Sequence, residues 1–308
     1  IPPTRLERET TPLTPCTAPG ESLLRRLVDG QATAALTFAG QGIPYLQELR
    51  DLEHQSLPAR TLIHAAADRL IQVTSLPEFR RSGFYMHGFD LRAWLSDPAR
   101  CPDPAYLSSS VISQAGVFLV QIARYVSLYD EGLRAVFEAG AIVAATGHSQ
   151  GVMAAMLVAE GTLGRIDPDR FLQFIEYYAW QGLHMQSAFG GLRRGFSNDG
   201  DATAMAAVSR IETSVLEPEV AAENATLPSD EQLTITLFNT RTRNVVSGPA
   251  RALAGLRRRL EARGAREKEL KGQGRFAGQP SLPEWEYLPV SAAFHSEHMR
   301  PGLERMRE

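Results

Sequence analysis

The sequence predicts an α/β fold in two parts, and three observations carry that prediction. The apolar run AIVAAT (141–146) leads straight through GHSQG (147–151) into the small-residue run VMAAMLVAE (152–160), a strand-turn-helix order. Residues 45–55 and 59–74 carry apolar residues at three- and four-residue spacing, as amphipathic helices do, and further helical runs follow at 108–132 and 167–188. After residue 190 the texture changes to short β-like runs alternating with two helical ones, in the order β-α-β-β-α-β. That order implies a four-stranded antiparallel sheet with two helices on one face, a ferredoxin-like subdomain.

Taken along the chain, residues 1–20 are rich in Pro and Thr without apolar period and read as an extended lead-in, followed by a short helix in ESLLRRLVDG. QATAALTFAGQG (31–42) is a strand ending in a Gly-Gln-Gly turn. YLQELRDLEHQ (45–55) and ARTLIHAAADRLIQVT (59–74) are amphipathic helices, and a loop-rich stretch follows, ending SDPARCPDPAYL (96–107). Residues 108–132 form a long apolar helix whose first serines suit an N-cap, and DPDRFLQFIEYYAWQGLHMQSA (167–188) is another helix with Asp167 near its cap. GGLRRGFSNDGD (190–201) is a flexible connection. TAMAAVSR (203–210), LTITLFN (233–239), RNVVSGP (243–249) and EYLPVSAAF (286–294) are the strands of the second part. Its helices are IETSVLEPEVAAENA (211–225) and ARALAGLRRRLEARGA (250–265). The polar stretch 266–285 reads as a surface insertion. The expected organisation is a lead-in over 1–32, a core over 33–195, the subdomain over 196–293, and a return toward the core over 294–308.

Composition narrows the function. With 44% hydrophobic residues over 308 positions the chain can bury a large core. A formal net charge of -3 offers no basic footprint for a phosphate backbone, so nucleic acid is not an expected partner. Cys16 and Cys101 lie far apart without a Cys/His cluster, which gives no zinc pattern and no disulfide framework and fits a reducing, cytoplasmic setting. No uninterrupted apolar run reaches the roughly 18 residues that span a bilayer, so no membrane is expected.

The chemistry centres on Ser149. A Gly-x-Ser-x-Gly pentapeptide is weak evidence alone, but a strand leading in and a helix leading out make the sharp elbow that presents a serine hydroxyl. The same elbow places free N-H groups at a helix N-terminus, where an oxyanion is stabilised. The competing reading is a structural turn. A nucleophilic serine needs a base, and His295, in PVSAAFHSEHM (289–299), stands just after a predicted strand where it can face a cleft between the two parts. His298 is the second candidate. His54, His64, His87 and His184 read as surface or packing histidines, and the His148 side chain is expected to point away from the open side of the serine.

Several segments together resemble the acyltransferase domains of fatty acid and polyketide synthases: LTFAGQG, SVISQAGVFLVQIARY, ATGHSQG, LHMQ, FNTRTRNVVSGP and PVSAAFHSEHM, in that order over about residues 33–300. The resemblance implies an α/β-hydrolase-like core with parallel sheet and an inserted ferredoxin-like subdomain, the active site lying in the groove between them. It also implies further residues after the histidine that return to the core, so that the C-terminal part of the core is missing. By motif, Ser149 is the nucleophile and His295 the general base of a dyad, with an oxyanion hole from the backbone N-H groups of Gln41 and Gln150. Substrate contacts fall to Gln181, His148 and Asn239. The implied reaction passes an acyl group from coenzyme A through an acyl-serine to the phosphopantetheine thiol of an acyl carrier protein. No metal and no permanently bound cofactor are expected: acetyl-CoA is the substrate, and phosphopantetheine belongs to the partner. The other domains of a type I fatty acid synthase, a large homo-oligomer, complete the expected partners.

The acyl group is the finer question. Malonyl-selecting members of the resembled family place an arginine where this chain has Gln181, in WQGLHMQ (180–186). A neutral amide leaves a carboxylate unpaired in a partly buried pocket. With Gln150 and Val152 after the serine, the elbow is most similar to the acetyl-loading transferase of microbial type I fatty acid synthases. Malonyl/palmitoyl transfer, a polyketide starter-unit transferase, a serine esterase or thioesterase, and a non-catalytic megasynthase module stand as alternatives.

Overall fold

Strands β1 (Ala34–Phe38) and β2 (Ile142–Gly147) pair in parallel, with Phe38 opposite Gly147, although a long helical excursion separates them in sequence. Parallel neighbours need such a crossover. The structure, a computed structural model, describes residues 23–190, 203–275 and 283–307. The excursion opens with α1 (Leu46–Gln55) and α2 (Leu57–Thr74), separated at Ser56, whose hydroxyl accepts the Ala59 N-H while Pro58 occupies the first turn. It continues through α3 (Ser110–Leu128), which is buried along most of its length. After β2 the chain forms α4 (Gly151–Glu160) and α5 (Pro168–Ala188), the latter capped by the Asp167 carboxylate on the Arg170 N-H at 2.7 Å.

The core lies where α3 and α5 cross. Phe118 on α3 packs against Phe171, Phe174 and Tyr178 of α5 with ring centroids 6.0, 5.7 and 4.9 Å apart. One turn on, the backbones themselves touch: a Cβ at Gly182 would stand 2.9 Å from both the Ser110 carbonyl oxygen and the Val111 Cα. This close approach fixes the first turn of α3 relative to α5.

The second part has the expected order. β3 (Met205–Ser209), α6 (Thr213–Asn224), β4 (Thr234–Thr240), β5 (Arg243–Ser247), α7 (Ala250–Gly272) and β6 (Glu284–Tyr287) give an antiparallel sheet ordered β4-β5-β3-β6. Val208 and Val246 on one face of the sheet pack with Leu216 of α6 and Leu253, Leu256 and Leu260 of α7. Alternation sends Met205, Ala207 and Val245 to the opposite face, toward the first part.

Several local expectations need correction. Ser109 occupies the N-cap position of α3, but its hydroxyl donates to the Tyr106 carbonyl at 2.5 Å and leaves the helix uncapped by a side chain. The helix expected to run to residue 132 ends at Leu128; a π turn over Tyr129–Leu133, with Gly132 at φ 146°, leads into a short helix at Arg134–Glu138. The stretch after α2 holds short helices at Pro77–Ser82, Leu91–Ser96 and Pro104–Ser108, each begun by a cap or proline. The insertion expected from 266 begins later, because α7 continues to Gly272. β6 ends at Tyr287, but Leu288 and Val290 keep backbone bonds to Met205 and Ala204, so the expected strand runs on loosely to 290 and departs from the sheet only from residue 291. The continuous segment Ser110–Glu138 is long and apolar enough to cross a membrane by length and composition, which a search for unbroken apolar runs missed; 78% of its most apolar window is buried against protein. The lead-in over 1–20 and all of the 190–201 connection except Gly190 lie outside the described residues.

Substituting Gly182→Ala tests the helix crossing. A gain of about 1 kcal/mol in helix propensity is outweighed by overpacking of about 1–3 kcal/mol or more, because both clashing atoms are backbone. The expected outcome is a lower urea midpoint than that of the unsubstituted chain, with unchanged slope.

Candidate active site

The elbow at 147–151 is dictated by crowding. A Cβ on Gly147 would fall 2.0 Å from the Gly151 carbonyl carbon, and one on Gly151 would fall 2.3 Å from the Phe38 carbonyl oxygen and 2.5 Å from that of Ala39. Only glycine fits at either position. Between them Ser149 takes φ 52°, a left-handed conformation that costs of order 1–3 kcal/mol and persists where the surroundings over-determine it. The His148 N-H bonds the Phe38 carbonyl at 3.0 Å, tying the turn to the end of β1.

His295 reaches this serine from the segment after β6. Its Nε2 stands 2.8 Å from the Ser149 Oγ, across 146 residues of sequence, and its own φ of 64° is also left-handed. Desolvation by surrounding protein, and next the charge of the neighbouring His148, hold the imidazole pKa below its ordinary 6.5. The neutral ring therefore prevails at neutral pH, able to accept the serine proton.

Next to the pair lie two main-chain donors. Neither the Gln41 nor the Gln150 N-H has a hydrogen-bond partner among the described residues. The Gln41 side chain is held by donating to the Ser113 hydroxyl at 2.6 Å and accepting from Gln114 Nε2 at 3.1 Å. Gln150 donates to the Gln114 carbonyl at 2.5 Å and accepts the Tyr178 hydroxyl on its main-chain oxygen at 3.0 Å. Ser113, Gln114 and Tyr178 were missed in the sequence; the signal for the first two was a pair of polar side chains within the apolar run of α3.

The pair opens into a cleft of about 430 Å³ between the two parts of the molecule. Gln181, His148 and Asn239 all line it, so the His148 side chain does not turn away from the site as expected. Gln181 Nε2 donates to the Tyr177 hydroxyl at 3.3 Å, one helical turn earlier on α5, a cleft-lining residue that sequence reasoning also missed. At the outer end stand Arg243 and Glu286 on the open sheet face. The remaining histidines are engaged elsewhere. His298 meets the Gln232 carbonyl at 2.8 Å and Phe189 edge-on, His64 meets Glu53 at 2.6 Å, His87 lies edge-on to Tyr106, and His184 stacks on Trp180. His54 lies in the last turn of α1, away from the cleft. Among the described residues no group of three His, Cys, Asp or Glu side chains could hold a metal ion. What the cleft offers is a serine hydroxyl, a neutral base and two unpaired N-H donors: the groups needed to form and transfer an ester.

Known proteins share this arrangement of segments. Residues 36–276 match the family described as starter unit:ACP transacylase in aflatoxin biosynthesis. The chain is 27% identical over 288 residues to a fatty acid synthase subunit beta of Aspergillus oryzae, covering 89% of this chain and 14% of that protein. It spans about a seventh of the length of such curated relatives. Among solved structures, MCAT from Streptococcus pneumoniae superposes with a TM-score of 0.53 at 20% identity, over 88% of this chain and 68% of that one. A loading acyltransferase from the avermectin modular polyketide synthase gives 0.55 at 20% identity, over 88% and 66%. These two likenesses show the fold.

An NMR titration of the His295 ring checks the electrostatics. The expected pKa is below 6.5, with the neutral form lost only as the pH falls through that lowered value. His148→Gln is expected to move it upward, since one of the two depressing influences is removed.

Proposed function

We propose that this chain, which belongs to the starter unit:ACP transacylase family, transfers a short neutral acyl group, acetyl in first place, from coenzyme A to the thiol of a carrier-bound phosphopantetheine by way of an ester on Ser149. The observation that carries the proposal is the 2.8 Å contact between Ser149 Oγ and His295 Nε2. In the first half, Nε2 takes the hydroxyl proton as Oγ attacks the thioester carbonyl. The C–S bond breaks and the departing sulfur receives that proton. In the second half the carrier thiol gives its proton to Nε2, its sulfur attacks the ester carbonyl, and Oγ leaves and is reprotonated. The N-H groups of Gln41 and Gln150 receive the oxyanion in both halves.

Acetyl is preferred because Gln181, already engaged with Tyr177, offers no charge to a carboxylate. A second reading, transfer of a carboxylated acyl group, has Arg243 in its favour, which lines the same cleft and forms no ion pair among the described residues. Arg243 is solvent-exposed at the outer end of the sheet face, however, where a carboxylate meets water as well as the guanidinium.

Intact-mass measurement after mixing with acetyl-CoA or malonyl-CoA tests both readings. Acetyl is expected on Ser149, with labelling reduced by at least ~10³-fold in Ser149→Ala. Gln181→Arg is expected to raise malonyl relative to acetyl labelling by roughly tenfold or more, while Arg243→Ala leaves the ratio unchanged. Malonyl labelling as fast as acetyl in the unsubstituted chain would sink the neutral-acyl assignment. Rapid release of free acetate without carrier would indicate an esterase instead.

A further inference from the structure

Four residues before His295, a fully buried polar knot joins three separate elements. Ser291, Gln186 in the last turn of α5, and Ser110 at the start of α3 have no solvent exposure at all. The Ser291 hydroxyl accepts the Ser110 N-H at 2.7 Å and donates to Gln186 Oε1 at 2.5 Å, and Gln186 Nε2 returns a bond to the Ser291 carbonyl at 3.1 Å. The two residues thus hold each other through side chain and main chain together, which fixes the rotation of the 290s backbone as well as its distance from α5. Downstream the Ser296 hydroxyl closes the turn on the Ala293 carbonyl at 2.5 Å. Beyond it Gly302 lies so close to α5 that a Cβ there would stand 2.9 Å from the His184 carbonyl oxygen.

His295 follows directly on this anchored segment. Nδ1 of its ring has no hydrogen-bond partner among the described residues, and its backbone sits in the left-handed region. Among the described residues, the ring is placed by the Ser149 contact at Nε2 and by the chain that carries it. We infer that Gln186 and Ser291 are positioning residues for the general base, holding the His295 turn in register with the Ser149 elbow without touching the substrate. The inference rests on the transacylase reading of the same site.

The test compares the rate of Ser149 acetylation with the acetyl-CoA concentration that half-saturates it. Gln186→Met keeps the volume and removes both polar atoms; misplacement of the base is expected to slow acetylation by about 10²-fold with half-saturation unchanged. Gln186→Glu supplies a readout that a merely structural role would not move. When protonated, the new acid can donate to the Ser291 carbonyl as the amide did; when ionised, it cannot. Its acetylation rate is therefore expected to fall with rising pH over a range where the unsubstituted chain loses nothing. Ser291→Thr, which retains the hydroxyl, is expected to recover most of the rate lost in Ser291→Ala, and urea midpoints separate slow from unfolded variants. Acetylation at the unsubstituted rate in folded Gln186→Met, or a flat pH profile in Gln186→Glu, overturns the inference. His295→Ala distinguishes the two levels: if it too acetylates normally, the transacylase reading fails along with the positioning role.

Discussion

The site depends on how closely two backbones approach at the elbow. Gly151 lies against the carbonyls of Phe38 and Ala39 with no room for a side chain, and Gly147 lies against Gly151 in the same way. This crowding forces Ser149 into its left-handed conformation and sets the end of β1 beside the start of α4. The contact that gives the hydroxyl its exposure therefore also brings the Gln41 turn alongside Gln150. One steric constraint produces both a presented hydroxyl and a pair of adjacent N-H donors.

The second part of the molecule supplies what the elbow lacks. Its helices cover one sheet face, and residues of the other face line the cleft, while Phe238 on the edge strand β4 stays exposed. His295 does not belong to that sheet. It sits on the segment leaving β6, which a small buried cluster of Met185, Phe189, Ala204, Ala292, Ala293 and Met299 seats on the end of α5. The end of β1, the helix after the elbow and α5 share the main core, whereas the segment bearing His295 is anchored in this separate cluster.

Much of this was legible in the sequence, for reasons that differ by element. The elbow was readable because its requirements are local: a strand, two glycines and a helix within twenty residues. The order of the second part was readable because strand and helix periods alternate cleanly there. The extent of β6 was not, since nothing local distinguishes a strand from the apolar stretch 291–294, whose Ser291 is buried among helices rather than on a sheet. Nor could local pattern show that Gln114 and Gln186 are buried partners, because polar side chains inside helices announce neither their depth nor the distant groups they meet. The place of Tyr177 was hidden likewise: i,i+4 spacing links it to Gln181, but which face of α5 meets the cleft is decided by Phe118 and its neighbours. The short helices after α2 were overlooked because each is too brief to establish a period.

The separation of 146 residues between the two interacting side chains bears on how the protein is made. During synthesis the elbow emerges from the ribosome well before its base, as a hydroxyl of ordinary reactivity. It meets its base only after the intervening sheet has formed and the segment behind it has seated on α5. Pairing of the hydroxyl with the imidazole is in this way coupled to completion of folding.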